Sequence, residues 1–201
     1  WALDNEEPVL YIPVENDYQD VAKRIVSIRC NLVTDDMTKQ DIDLILPQFK
    51  NKPFYLANNR ILTHWNLELF EGLVQEGKKR YGLEAVGFDH IRFLMDDKQQ
   101  NPVKEIERVT KRLRELSKSV GIRIFVVAHT NELGEVFGGR MQKNLSDIAI
   151  RISREKVEEE AGQPLFDKVA KFKVDGKYGG GYAELYYDEL SGMFRSLSAD
   201  N

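Results

Sequence analysis

One cysteine in 201 residues is too few for a disulfide within the chain. Cys30 cannot build a thiolate-rich zinc site by itself, and its isolation fits a reducing compartment. Long apolar runs are missing as well. The longest, Ile124 to Ala128, falls far short of the roughly 20 residues that cross a bilayer, so no membrane partner is expected. The opening WALDNEEPVL has no basic region leading into an apolar one, and no secretory signal is expected from it. It also lacks an initiator Met, from which we expect a piece of a longer chain. Nor is there an excess of positive charge: the net value is −4, so any nucleic-acid contact must come from local basic loops. What is present is 42% hydrophobic and 31% charged, the balance of an ordinary globular protein. The length suits one α/β domain with a sizeable core.

Hydrophobic spacing sets the expected order of elements. VLYIPV, Val9 to Val14, reads as a short strand running into Glu15, with Asn16 or Asp17 able to cap the helix that carries Val21, Ile25 and Ile28. A second helix is expected from Lys39 to Phe49, with Ile42, Ile45, Leu46 and Phe49 on one face. Pro53 precedes a short strand, Phe54 to Leu56. Leu67 to Tyr81 follows as an amphipathic helix that ends in Lys78, Lys79, Arg80 and then Gly82.

A strand is expected over Ala85–Asp89, then a polar loop from Met95 to Pro102. Pro102 opens a long helix to Val120 with Ile106, Val109, Leu113 and Leu116 inward. An apolar strand over Ile122–Ala128 ends at His129, and a glycine-containing polar loop runs from Thr130 to Asn144. Beyond it we expect a strand at Ile148–Ile152, a solvated acidic turn (EKVEEEAGQP), and closing strands at Phe166–Phe172, Tyr182–Tyr187 and Met193–Leu197. Alternating strands and helices imply a mainly parallel sheet with helices on both faces; the tail implies antiparallel strands added at one edge.

In open α/β sheets ligands bind beyond the carboxyl ends of the strands. Three such ends carry Glu15, Asp89 and His129. Singly, each has a bland explanation: a helix-start acid, a surface acid and a core-edge histidine. Together they would meet at one rim if their strands were neighbours.

With these residues in view the chain resembles the ATPase domain of the DnaB-type hexameric replicative helicases, phage primase–helicases and the mitochondrial helicase Twinkle in particular. The resemblance covers nearly all of the sequence and implies a RecA-like P-loop NTPase core. Residues 1–201 would form a single helicase ATPase domain truncated at its N-terminus. VLYIPVEN resembles the strand that delivers the catalytic glutamate, which implies Glu15 as general base. AVGFDHI resembles the Walker B strand, which implies Asp89 as the acid holding Mg²⁺ and ATP or another NTP. FVVAHTNE resembles the strand ending in the γ-phosphate sensor, which implies that role for His129. GGRMQKNLSDIAIRI is similar to the segment that carries the central DNA-binding loop, and AKFKVDGKYGGG to the hairpin whose two cations, here Lys171 and Lys173, reach a neighbouring subunit's nucleotide. By the same resemblance Arg154 and Tyr187 lie near the nucleotide base, with Tyr187 stacking on it. Asn131, Arg140, Lys143 and Asn144 would contact single-stranded DNA, chiefly through its backbone.

The chemistry is consistent with that assignment. Phosphoryl transfer needs charge neutralised on the β and γ oxygens and a water held in line. One strand-end aspartate suffices for a cation that keeps most of its waters. Two departures stand out. The phosphate-binding pattern G-x-x-x-x-G-K-[ST] is missing, so the chain by itself is expected to be inactive. The hairpin reads Lys171-Phe172-Lys173 where the family has Lys-x-Arg, which keeps charge but loses the planar fork. Lysines such as Lys171, Lys173 and Lys177 also serve simply to guard a sheet edge. The implied partners are single-stranded DNA, copies of the chain in a hexameric ring, and a primase and polymerase. The implied setting is the cytoplasm of a bacterial or phage-infected cell, or the mitochondrial matrix. The rival readings are a non-catalytic RecA-like scaffold or DNA-binding relative, and a recombinase- or clock-type RecA-like ATPase.

Overall fold

Asp17 fixes where the first strand hands over to the first helix: its Oδ1 accepts from Gln19 N at 2.9 Å, and its carbonyl accepts from Asp20 N. Strand β1 (Val9–Pro13) lies before that turn and helix α1 (Tyr18–Cys30) after it. The computed structural model describes residues 6–30, 38–61, 64–96, 101–129, 145–160, 163–177, 179–188 and 193–196. Helix α2 (Lys39–Phe49) opens on a reciprocal cap between Thr38 and Asp41 and leads to β2 (Phe54–Leu56). The side chains of Ile42, Ile45 and Leu46, expected on one face, lie outside the described residues.

Helix α3 (Leu67–Tyr81) is bounded as its sequence requires. Asn66 caps it by accepting from Leu69 N at 2.7 Å, and Gly82, at φ 64°, ends it in the left-handed conformation that glycine adopts without cost. Strand β3 (Ala85–Asp89) follows, then a 3₁₀ turn (Ile91–Leu94) and helix α4 (Pro102–Val120). Asn101 caps α4, with Pro102 in its first turn. Strand β4 (Arg123–Val126) is shorter than the expected Ile122–Ala128.

The first sheet has the order β2-β1-β3-β4, all parallel. From β1 the chain steps one way to β2, then crosses back past β1 to β3 and on to β4. Right-handed crossovers therefore place α1 and α2 over one face and α3 and α4 over the other. The main core lies under α3 and α4: Ile12, Val86 and Phe88 from the strands pack with Leu67, Phe70, Val74, Val109, Leu113 and Leu116. Phe88 sits edge-on between Phe70 and Trp65. On α1 the buried residues are Val26 and Ser27, whereas Ile28, which shares the helical spacing of Val21 and Ile25, is exposed.

The tail departs from expectation in two ways. Strands β5 (Ile148–Glu160), β6 (Gln163–Gly176), β7 (Gly179–Asp188) and β8 (Met193–Ser196) form a second four-stranded antiparallel sheet in sequence order. Among the described residues none of them hydrogen-bonds to the edge of the parallel sheet, so the tail is not an extension of it. The acidic stretch expected to be a turn is mostly strand, because β5 and β6 keep pairing out to Glu160 and Gln163. The second sheet has an apolar face (Ile148, Ile150, Ile152, Phe172, Phe194) and a charged one (Arg151, Lys171, Lys173, Glu184). No helix among the described residues is long and apolar enough to cross a membrane.

Candidate active site at the carboxyl ends of the parallel strands

Strands β1, β3 and β4 are adjacent, and their pairing continues past the strand ends. Val14 N donates to the Asp89 carbonyl at 2.9 Å, Val127 N to Phe88 O at 3.0 Å, and Ile91 N to Val127 O at 3.0 Å. The residues that follow the three strands are thus held side by side, and Glu15, Asp89 and His129 stand on one rim. This is the juxtaposition that their positions in sequence imply.

Two of the three touch. Glu15 Oε2 lies 3.3 Å from His129 Nε2. The other Glu15 oxygen, Oε1, lies 3.0 Å from Nε2 of His90. The two imidazoles meet edge to face with centroids 4.5 Å apart. His90 is buried, 6% exposed, while the His129 side chain is 67% exposed. His90 carries no expected role from the sequence. The signal was present, since Val86, Phe88 and His90 continue the inward alternation of β3 into the turn.

Asp89 faces a different neighbour. Tyr11 pairs with Gly87 in the register of β1 and β3, and its hydroxyl reaches Asp89 Oδ2 at 3.3 Å. Burial, and then the Asp89 charge, push the Tyr11 phenol up to about 12. Gly87 makes this contact feasible: a Cβ there would stand 2.8 Å from the Tyr11 ring. The loop carrying Glu15 is tied down from β2. Asn59 Nδ2 donates to Asn16 O at 2.7 Å, and Arg60 donates twice to Asp17 Oδ2, at 2.6 and 2.8 Å. The N–H of Gln19, and then Arg60, hold the Asp17 carboxyl below its usual range.

The donor set can be matched to the groups the resemblance implies. A lone carboxylate at a strand end, oriented by a tyrosine hydroxyl, suits a magnesium ion that keeps several waters. A phosphate cradle is another matter. Gly72-x-x-x-x-Gly77-Lys78 has the glycine–lysine spacing of such a loop, but Lys79 follows in place of Ser or Thr. The stretch lies inside α3 and Lys78 donates to Glu84 at 2.9 Å, so it presents no loop to a phosphate. A separate three-donor cluster, Glu15, His90 and His129, has its ligand atoms within 4.8 Å of one another and excludes Asp89.

The remaining expected residues fall in the second sheet or beyond description. The Arg154 guanidinium lies 4.7 Å from the centroid of the Tyr187 ring, and Tyr187 packs on Phe194 at 5.1 Å, so this pair is brought together. Lys171 and Lys173 share the charged face of β6. Lys171 pairs with Glu155, whose hydrogen bond and charge raise the lysine's pKa, and Lys173 is exposed. Lys177 donates to Asp147 at 2.6 Å, as a turn-stabilising lysine would. No described contact joins these lysines to Glu15, Asp89 or His129. Asn131, Arg140, Lys143 and Asn144 lie outside the described residues, as do residues 97–100 of the Met95–Pro102 loop.

The parallel sheet with acids and a histidine at its carboxyl rim, followed by an antiparallel sheet, defines a RecA-like α/β fold. Within that class the likeness is to helicase ATPase domains. A solved structure of a DnaB-like replicative helicase, described with its interactions with primase, superposes with a TM-score of 0.75 at 13% identity; 98% of this chain is covered. A second solved structure, of an ATPase domain, superposes with a TM-score of 0.77 at 13% identity, covering 98% of this chain and 76% of that one. At this level of identity the likeness shows a shared fold. The chain spans about half the length, 52%, of the first of these. No protein-family model and no curated protein sequence matches the chain.

Proposed function

We propose that this chain is the motor part of a replicative DNA helicase, coupling NTP hydrolysis at subunit interfaces to movement along single-stranded DNA and unwinding of duplex. The observation that carries the reading is the convergence of Glu15, Asp89 and His129 on one rim of adjacent parallel strands, within a fold shared with a DnaB-like helicase. In this reading Glu15 orients and deprotonates the attacking water, using the oxygen that faces the rim. Asp89 holds the hydration shell of a magnesium ion, which when bound neutralises charge on the β and γ oxygens. His129, exposed and in contact with Glu15, reports whether a γ-phosphate is present. Arg154 and Tyr187 flank the base, and Lys171 and Lys173 act on the nucleotide of the next subunit in a hexameric ring. Arg140, Lys143, Asn131 and Asn144 follow the DNA backbone.

The test uses the full-length protein. Hydrolysis should be stimulated by single-stranded DNA and accompanied by unwinding of a forked duplex. Glu15→Gln should lower kcat by about 10²–10⁴ while nucleotide and DNA still bind. Hydrolysis without any response to DNA would return the reading to a RecA- or clock-type ATPase. Binding of DNA with no hydrolysis at all would make the chain a scaffold.

A further inference from the structure

We propose that His90 is a positioning residue for Glu15: its Nε2–H holds one oxygen of the carboxylate so that the other can act. The assignment rests on the reading of Glu15 as general base and adds to it a residue that reading leaves without a role. Arg92 N lies 3.1 Å from His90 Nδ1, and a backbone N–H can only donate. Nδ1 is therefore the acceptor, its lone pair is in use, and the ring carries its proton on Nε2. That nitrogen lies 3.0 Å from Glu15 Oε1, so its N–H dipole acts on that carboxylate oxygen at close range.

The ring has little room to do anything else. It is 6% exposed, lies against Phe93 with centroids 5.3 Å apart, and meets His129 edge to face. Glu15 is thus held between two imidazoles of unequal freedom, a buried one on Oε1 and an exposed one on Oε2. A substrate or water that took the place of the exposed His129 on Oε2 would leave the buried His90 still against Oε1.

The same three residues could be taken for a transition-metal site, since their donor atoms lie within 4.8 Å of one another. The hydrogen bonding argues otherwise. A metal-bound histidine donates with its other nitrogen, whereas His90 Nδ1 receives. Binding a metal at Nε2 would cost the Arg92 bond or require an imidazolate.

Two substitutions of like polarity separate positioning from simple support. The Asn side chain in His90→Asn can still accept from Arg92 N–H but is too short to reach Glu15. The longer side chain in His90→Gln places an amide N–H where Nε2 stands. In the full-length protein, His90→Asn should lower kcat for DNA-stimulated hydrolysis by about 10–100-fold, the range for groups that orient a functional residue, with KM and thermal midpoint nearly unchanged. His90→Gln should recover most of that loss, and His90→Asn should add nothing in a Glu15→Gln background. Equal kcat for the Asn and Gln variants, or a further loss on top of Glu15→Gln, would overturn the proposal. Stoichiometric Zn²⁺ binding abolished by His90→Gln would replace it with a metal site. If Glu15→Gln itself turns over normally, the base assignment has failed instead, which is a separate result.

Discussion

The Gly87–Tyr11–Asp89 contact can be broken with a single methyl group. In Gly87→Ala the new Cβ would stand 2.8 Å from Tyr11 Cδ2, where ordinary contact begins at 3.4 Å. The ring must therefore retreat by roughly 0.6 Å from β3, the strand that also carries Asp89. A retreat of that size takes the 3.3 Å hydroxyl contact beyond hydrogen-bonding reach. Overpacking of this kind costs about 1–3 kcal/mol, of which the lost hydrogen bond accounts for about 1 kcal/mol. Urea denaturation would read the total, and Tyr11→Phe, which removes only the hydroxyl, would isolate the smaller part. A second readout is specific to the contact. The Tyr11 phenol is held at about 12 by burial and by Asp89, so it favours the folded state below its ordinary value near 10 and loses that stabilisation as pH rises through 12. Ultraviolet titration of tyrosinate should show this late-ionising phenol in the parent, and an earlier one in Gly87→Ala and Asp89→Asn. An alanine variant with unchanged urea midpoint and a phenol still ionising near 12 would refute the steric argument.

Asp89→Asn should weaken nucleotide binding by the full-length protein only when magnesium is present; a normal magnesium dependence would remove the metal role. Glu105, buried at 3% exposure, accepts from Asp96 N at 3.0 Å and pairs with Arg108, so Glu105→Ala should cost about 1–3 kcal/mol in denaturant unfolding. Arg108 chiefly holds its carboxyl below the usual 4.5, so its stabilisation is complete above that pH and is lost on acidification; Glu105→Gln should flatten the acid limb of the stability profile. Lys173→Ala should reduce DNA-stimulated hydrolysis by less than the roughly 10³–10⁵ of an arginine finger, with nucleotide affinity intact. Full activity would leave Lys173 an edge-guarding lysine. Arg140→Ala with Lys143→Ala should lower the salt dependence of single-strand binding by roughly one phosphate equivalent per contact in an anisotropy titration, and an unchanged slope would move the DNA path elsewhere.

The helices were legible because their ends are written in local chemistry. The basic turn Lys78 to Arg80 with Gly82 ends α3, and Pro102 opens α4, each acting within a few residues of the turn it controls; the Asn66 and Asn101 caps emerge only in the structure. Inward positions Ile106, Val109, Leu113 and Leu116 are all buried, as a 3.6-residue period requires. The tail was less legible for the complementary reason. A period of two identifies strands but not their partners, so nothing in residues 148–196 distinguishes an edge added to the first sheet from a second sheet. The acidic stretch after Glu155 lacks apolar alternation altogether, and its polarity reads as a turn. In the structure the ribbon is instead prolonged by backbone pairing with β6, through two register shifts between Arg154 and Glu158.

The rim shows a sharper division. Glu15, Asp89 and His129 could be named because each ends an apolar run, and the expectation that they converge needs only that β1, β3 and β4 be neighbours. What surrounds them depends on register, which spacing in one strand does not reveal. Tyr11 reaches Asp89 only because it lies opposite Gly87, and that pairing belongs to β1 and β3 together. His90 was half legible. Its place after Val86 and Phe88 marks it as inward, but an inward histidine at a strand end is usually just a satisfied core group. Its direction is decided by one backbone donor two residues on, Arg92 N–H, which occupies Nδ1 and leaves Nε2 to Glu15. A 3₁₀ turn supplies that donor, and the turn exists because Ile91 and Leu94 must both be buried beside the sheet. In the proposal made above, the orientation of the carboxylate therefore depends, through His90, on the apolar residues of that turn.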